Sequence, residues 1–391
     1  MNKGPHKTIP YGRQDITDED IDSVIETLKS DFITQGPVVQ SFENKIAEYT
    51  DAKYAVASNS ATSSLHLACL ALDLGPGDIL WTVPNTFVAS ANCALYCGAK
   101  VDFVDIDKLT YNIDIEQLEK KLKNAEKKKT LPKVLVTVAF AGQPCDQEII
   151  RELTGKYDIK IIEDAAHAIG ASRNGQKIGN CLWSDITIFS FHPVKIITTA
   201  EGGIGLTNEK NLRDKMELYR SHGITRDKYK MLESNPPSWG YEQHVLGFNY
   251  RMPDLNAALG LSQLKRVDEY VQERNLLAKE YNNQLSNLPL QLPYVKTENL
   301  SAFHLYVVLV DKHRAKKSRE ILFNLLRDRG IGVNVHYMPV YLNPFYKDLG
   351  FREGYCLNAE DYSQRVITLP LFPTMTSDEQ TYVIDALREL L

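Results

Sequence analysis

Five short apolar runs, spaced along the first half of the chain, constrain the fold most. They are Ile79–Val83, Val101–Val104, Val134–Phe140, Ile159–Glu163 and Ile186–Phe191, each four to seven residues long. That length suits strands, and their Ile, Val and aromatic content fits a buried pleated surface. Helical stretches separate several of them. Strands alternating with helices predict an α/β fold whose sheet is largely parallel.

The flanking segments extend this reading. A helix is expected over Asp15–Ser30. Thr17 is placed to cap it, Asp18, Glu19 and Asp20 suit its N-terminal dipole, and Ile21, Val24, Ile25 and Leu28 fall on one apolar face. Phe32–Pro37 breaks the pattern as a turn. A second helix is expected from near Ala61, carrying Leu65, Cys69 and Leu72. Leu255–Leu285 is proline-free and predicts one long helix or two nearly continuous ones, ended by Pro289 and Pro293. Beyond it the residues read as a compact α+β unit. Strands are expected at Leu305–Val310 and Gly332–His336, and helices at Ser318–Arg329 and Ser377–Leu391, the last opening on Ser377 and Gln380 at capping-box spacing. With 391 residues, two domains are expected, a large one over 1–265 and a small one over 266–391.

Charge narrows the function classes. A net charge of −5 gives no general attraction to nucleic acid. The six lysines between Lys120 and Lys129 read as a solvated helix end, since no aromatic residues interleave for base stacking. No apolar run is long enough to span a bilayer, and Met1–Pro10 lacks the apolar centre of a signal peptide. The six cysteines form no Cys-x-x-Cys pair, so buried packing in a reducing compartment, the cytoplasm, is expected rather than a metal site.

Lys195 carries the chemistry. It follows the run Ile186–Phe191 after His192-Pro193-Val194 and precedes the hydroxyl- and glycine-rich Thr198–Gly203. A lysine at a strand end in such company is suited to bonding an aldehyde cofactor that bears a phosphate. Asp164 closes the run before it and is suited to holding a pyridine nitrogen protonated. Glu163 points to the other face of that strand. His167 is placed either to orient Asp164 or to contact the cofactor's phenolic oxygen. Ser58–Ser64 stands at a strand-to-helix junction, where free backbone N–H groups bind anions. Phe87 is suited to lie on a flat ring. Pyridoxal 5'-phosphate is the cofactor these residues predict.

The set Ser58–Ser64, Asn85–Ala89, Glu163–His167, Ser190–Lys195, Glu201–Gly203 and Gly247–Arg251 resembles the DegT/DnrJ/EryC1/StrS family of nucleotide-sugar aminotransferases, over nearly the whole chain. The resemblance implies the type I fold of pyridoxal phosphate enzymes and a homodimer with shared active sites. It implies Lys195 as the lysine bonded to the cofactor and Asp164 as the pyridine partner. Phe87 then stacks on the ring, and Ala61, Thr62 and Ser190 hold the phosphate together with Asn249 from the other subunit. His167 stands where the family places Gln or His.

Within the family, Ile9–Gly12, Ile33–Pro37, Asn85–Asn92 and Val335–Tyr346 are most similar to the branch serving pseudaminic acid synthesis. Ile196 departs from the proline expected after the lysine. This likeness implies transfer of an amino group from glutamate to C4 of a UDP-linked 2-acetamido-2,6-dideoxy-4-keto hexose, with Tyr11, Thr34, Gln35, Gly36, His336 and Tyr337 lining the sugar pocket. Arg226, Lys228 and Arg251 are candidates for the diphosphate. Another keto sugar nucleotide, or a non-catalytic cofactor-binding protein on the same fold, are the alternatives.

Overall fold

The computed structural model describes residues 8–233 and 236–391, so most of the Met1–Pro10 segment lies outside the described residues. A seven-stranded sheet forms the centre. Its strands are β1 (Tyr54–Ser58), β2 (Ile79–Thr82), β3 (Lys100–Phe103), β4 (Val134–Val138), β5 (Lys160–Asp164), β6 (Ile186–Ser190) and β7 (Gly203–Thr207), in the spatial order β1-β7-β6-β5-β4-β2-β3. All five expected runs are strands of this sheet, and every pairing from β3 across to β6 is parallel. β7 runs antiparallel to both neighbours, closing the gap between β6 and β1. It was not anticipated, because Gly203-Ile-Gly-Leu-Thr207 holds two glycines, which weaken a strand signal.

Helices cover both faces of the sheet. On one side α3 (Ala61–Ala71), α4 (Ala89–Tyr96), α5 (Ile115–Lys128) and α6 (Gln147–Gly155) share a core with Leu80, Leu135, Ile161 and Ile186. On the other, Phe42 and Ile46 of α2 (Pro37–Thr50) and Ala257 of α8 (Asp254–Leu264) pack on Phe189, Phe191 and Ile204. α2 opens on Pro37, an ordinary first helix residue, directly after the turn expected over Phe32–Pro37. α7 (Lys210–Arg220) follows β7.

The helical stretch expected over Leu255–Leu285 is two nearly continuous helices. α8 stops at Leu264, and α9 runs over Val267–Leu285. The start of α9 belongs to the core around Phe42. Its end, with Ala278, Tyr281 and Leu285, belongs to a third core made with Tyr306, Leu322, Leu369 and Leu387. That last core holds β8 (Leu290–Gln291), β9 (Tyr306–Val310) and β10 (Val366–Leu369), with α10 (Arg319–Asp328) and α13 (Ser377–Leu390) around it, while Tyr346 of α11 (Pro344–Asp348) and Ala359 and Tyr362 of α12 (Leu357–Arg365) pack into the first core.

Three local expectations need correction. Gly332–His336 is not a strand: Ile331 and Asn334 make single bridges, to Ile9 and Thr368. The final helix is capped by Thr376 and Glu379, one residue earlier than expected: Glu379 N–H donates to the Thr376 hydroxyl at 3.2 Å and Thr376 N–H to the Glu379 carboxylate at 3.0 Å. The apolar face of α1 (Asp18–Lys29) points outward. Ile21 and Leu28 are 48% and 55% exposed, whereas Asp20 is fully buried. The helix docks through polar groups on the end of α8 and the turn into α9, with Asp20 accepting from Gln263 and Arg266 at 2.6 Å each.

Candidate active site

A cavity of about 550 Å³ opens at the C-terminal ends of β4, β5 and β6. In a parallel sheet this is where ligands bind. β5 and β6 lie side by side and deliver Asp164 and Ser190 as their last residues. The chain then turns sharply. Lys195 N–H bonds the His192 carbonyl at 2.9 Å, and the Phe191 carbonyl accepts from Thr198 Oγ1 and Thr199 N–H. Ile196 and Ile197 are buried in the Phe42 core, which anchors the turn and aims Lys195 back at the cavity.

Lys195 is partly buried with its side chain facing the cavity, and desolvation pushes its pKa down to about 8. Asp164, also buried, is pulled in opposite directions. Burial pushes its carboxyl up, while Ser90, the Ala166 N–H and the Lys195 cation pull it down. Ser90 Oγ donates to Asp164 Oδ2 at 2.6 Å and Ala166 N–H to Oδ1 at 3.1 Å. His167 makes no hydrogen bond to Asp164. Its Nε2 lies 3.4 Å from the Tyr337 hydroxyl, and its Nδ1 is buried without a partner among the described residues.

The other side of the cavity is the start of α3. Ser60 caps the helix by accepting from the Ser63 N–H at 3.1 Å, and the Ser64 N–H bonds the Ser60 carbonyl. The N–H groups of Ala61 and Thr62 have no acceptor among the described residues. Gly203 makes this arrangement possible. A Cβ there would lie 2.4 Å from Ala61 N, so only glycine lets β7 pass so close to the helix start. Two free N–H groups at a helix N-terminus, with Ser190 beside them, fit a phosphate. A buried carboxylate opposite a buried amine fits a pyridine nitrogen and an aldehyde. The donor set therefore suits pyridoxal phosphate.

Most of the residues expected at the site line this cavity: Tyr11, Ala61, Thr62, Phe87, Asp164, His167, Ser190, Lys195, His336 and Tyr337. Phe87 is 59% exposed, an open ring at the rim. Thr34, Gln35 and Gly36 do not line it; they precede α2, where Thr34 bridges Pro253. Asn249 does not line it either, being exposed on a loop bridged to Ser221. Arg226, Lys228 and Arg251 also lie outside the lining. Ser90, His304 and Asn334, by contrast, line the cavity without having been singled out. Ser90 stands five residues before Leu95 in a run of small residues and carries no sequence signal of its own. A larger, more open groove of about 860 Å³ along α9 and residues 293–303 holds neither Lys195 nor Asp164. Among the described residues no group of three or more His, Cys, Asp or Glu is placed to hold a metal.

Residues 14–388 match the DegT/DnrJ/EryC1/StrS aminotransferase family. The chain belongs to that family. SpsC of Bacillus subtilis, a spore coat polysaccharide biosynthesis protein, is 39% identical, covering 98% of this chain and 97% of its own. The UDP-4-amino-4,6-dideoxy-N-acetyl-β-L-altrosamine transaminase of Campylobacter jejuni is 38% identical with the same coverage. Among solved structures, Helicobacter pylori PseC, an aminotransferase of pseudaminic acid biosynthesis, superposes with a TM-score of 0.89 at 30% identity, covering 98% of this chain and 99% of that one. This DegT-family chain is thus a sugar aminotransferase dependent on pyridoxal phosphate, on the fold its strand pattern predicts. No described helix is long and apolar enough to cross a membrane.

Proposed function

We propose that the enzyme transfers an amino group from glutamate to C4 of a UDP-linked 2-acetamido-2,6-dideoxy-4-keto hexose, forming UDP-4-amino-4,6-dideoxy-N-acetyl-β-L-altrosamine in the cytoplasmic pathway to pseudaminic acid. The observation that carries the chemistry is the buried Lys195–Asp164 pair across one cavity. When bound, pyridoxal phosphate supplies an aldehyde that bonds amines and a protonated ring that withdraws electrons from them. Lys195 bonds that aldehyde. Once displaced by a substrate amine, its lowered pKa lets Nζ take a proton from the donor's α-carbon and return one to C4 of the sugar. Asp164, kept ionised by Ser90 and the Ala166 N–H, holds the ring proton. Ala61, Thr62 and Ser190 bind the phosphate, Phe87 covers the ring, and His167 faces the phenolic oxygen.

The sugar assignment is supported by the transaminase and PseC likenesses and by the hydroxyl and imidazole groups of Tyr11, His336 and Tyr337 in the cavity wall. The 39% identity to SpsC favours a second reading, amination of another keto sugar nucleotide. A homodimer with shared sites is part of the proposal. Thr34–Gly36 and Asn249 stand away from the cavity of their own chain, and Ile21, Ile25, Leu28, Phe32 and Ile33 form an exposed apolar set. A division into two domains near residue 265 is also part of the proposal, supported by the break between α8 and α9. Incubation with glutamate and each C5-epimeric UDP-4-keto sugar, with the amino sugar identified by NMR, tests the assignment. Turnover of the L-arabino epimer is expected. Preference for the D-xylo epimer moves the enzyme to the bacillosamine-type branch, and amination at C3 refutes the keto position.

A further inference from the structure

Arg274 is a large buried cation with no part in the amino transfer itself. It lies on α9, 1% exposed, with no carboxylate partner among the described residues. Its Nη1 donates to three backbone carbonyls, those of Phe303 at 3.3 Å, His304 at 3.4 Å and Leu371 at 2.9 Å, while Nε and Nη2 are buried without partners among the described residues. An unpaired buried guanidinium is costly to keep. Burial pushes its pKa down to about 9, which leaves it charged at neutral pH.

What it holds is a strained turn. Phe303 has φ 43°, in the left-handed region that an aromatic residue seldom adopts. The Ser301 hydroxyl accepts its N–H at 3.1 Å. On the far side the turn leans on Gly142, where a Cβ would lie 2.8 Å from Phe303 N and 3.0 Å from the His167 carbonyl. The outcome of this geometry is the ring of His304. It packs against His167 with centroids 4.4 Å apart.

We infer that Arg274 and His304 are positioning residues for His167: the guanidinium holds the turn at Phe303, the turn presses the His304 ring onto His167, and His167 stays uncharged in a single orientation. This rests on the placement of His167 beside the cofactor. The groups facing His167 agree. Lys195 comes from the turn after β6, Tyr337 and His336 from the segment before α11, His304 from the loop before β9, and Phe140 from the end of β4. Two acids line the cavity. Asp164 is engaged by Ser90 and Ala166, and Glu201 is exposed, open to solvent. Lys195 and His336 both press the His167 imidazole toward its neutral form, as does burial; Arg274 acts on His304 in the same sense. An uncharged His167 keeps one ring nitrogen as donor and the other as acceptor, with Nε2 3.4 Å from the Tyr337 hydroxyl and Nδ1 without a partner among the described residues.

The test is a histidine NMR titration of the cofactor-loaded enzyme, with His167→Asn assigning the resonance. In the wild type His167 is expected to stay neutral through the neutral range, because burial first, then Lys195 and His336, hold its pKa below that of a free imidazole. In Arg274→Met its titration midpoint is expected to rise by about one pH unit or more, bringing an acid limb into the measured range. His304→Ala keeps the guanidinium and removes the ring. It should raise the midpoint likewise and broaden the His167 signal, and it decides the matter alone if Arg274→Met does not fold. An unaltered His167 titration in the folded variants overturns the proposal. Since no substrate is added, the result is independent of which sugar the enzyme aminates.

Discussion

Replacing Ser90 by alanine removes a bond to Asp164, the proposed partner of the pyridine nitrogen. Ser90 Oγ donates to Asp164 Oδ2 at 2.6 Å and also meets Thr86 Oγ1 at 2.8 Å, all within the buried interior. A hydrogen bond to a charged group contributes about 1.5–3 kcal/mol. In the cofactor-free enzyme Asp164 can relieve the loss by taking up a proton, because burial already pushes its pKa upward. In the loaded enzyme it cannot, since it must stay ionised against the ring nitrogen. The deficit therefore appears as weaker cofactor binding, roughly tenfold to hundredfold at neutral pH. The pH dependence has a definite sign. Losing a donor that favours the charged form raises the pKa of Asp164 further, so the defect deepens as pH falls and shrinks as pH rises. Absorbance titration of cofactor-free Ser90→Ala with pyridoxal phosphate at several pH values measures this. Wild-type affinity at every pH would show that the Ala166 N–H and Lys195 suffice to hold Asp164, and the argument fails.

Other substitutions separate the remaining roles. Lys195→Ala should abolish turnover while leaving the melting temperature near that of the wild type; residual steady turnover with glutamate contradicts the assignment. Mixing Asn249→Ala with Lys195→Ala protein should restore part of the activity lost in each, after subunit exchange has been confirmed by native mass spectrometry; no recovery counts against shared sites. Gly203→Ala should destabilise the protein by about 1–3 kcal/mol and impair cofactor binding, since the added methyl meets the backbone of Ala61; denaturant melts and cofactor titration check both. Glu163, behind the sheet, has its carboxyl pushed up by burial against the pull of Gln147 and Thr187. Its raised folded pKa means stability is lost as pH rises above the unfolded value of about 4.3. Glu163→Gln should therefore melt higher than wild type at pH 7 and lose that advantage near pH 4.

The central sheet was legible because five short apolar runs have the length and β-branched content of buried strands, and Lys195 and Asp164 because each follows such a run closely. Ser90 was not, since its partner lies 74 positions away and nothing in Ala89-Ser-Ala-Asn92 announces it. His304 and Arg274 were hidden for the same reason, their contacts being set by a turn that folds only against Gly142. The stripe on α1 had the spacing of a core-facing helix, but Asp20 bonding to Arg266 and Gln263 outweighed it and turned the apolar side out. Thr376 and Ser377 offered equal capping-box spacing. The extended backbone at Thr376, φ −78° and ψ 157°, decided between them.

The close pass of β7 over the start of α3 bears on how the protein reaches its native state. Tyr54–Ser58 pairs residue by residue with Gly203–Thr207, so the proposed phosphate cradle joins segments separated by most of the large sheet. Contacts so distant along the chain close late and slowly, since a long loop must first be ordered. A ligand that binds only the closed arrangement shifts the equilibrium toward it by mass action. Pyridoxal phosphate bound there is therefore expected to favour the closed arrangement, and supplying it during refolding or expression should raise the yield of active enzyme most in variants whose weakness lies in the β1–β7–β6 seam.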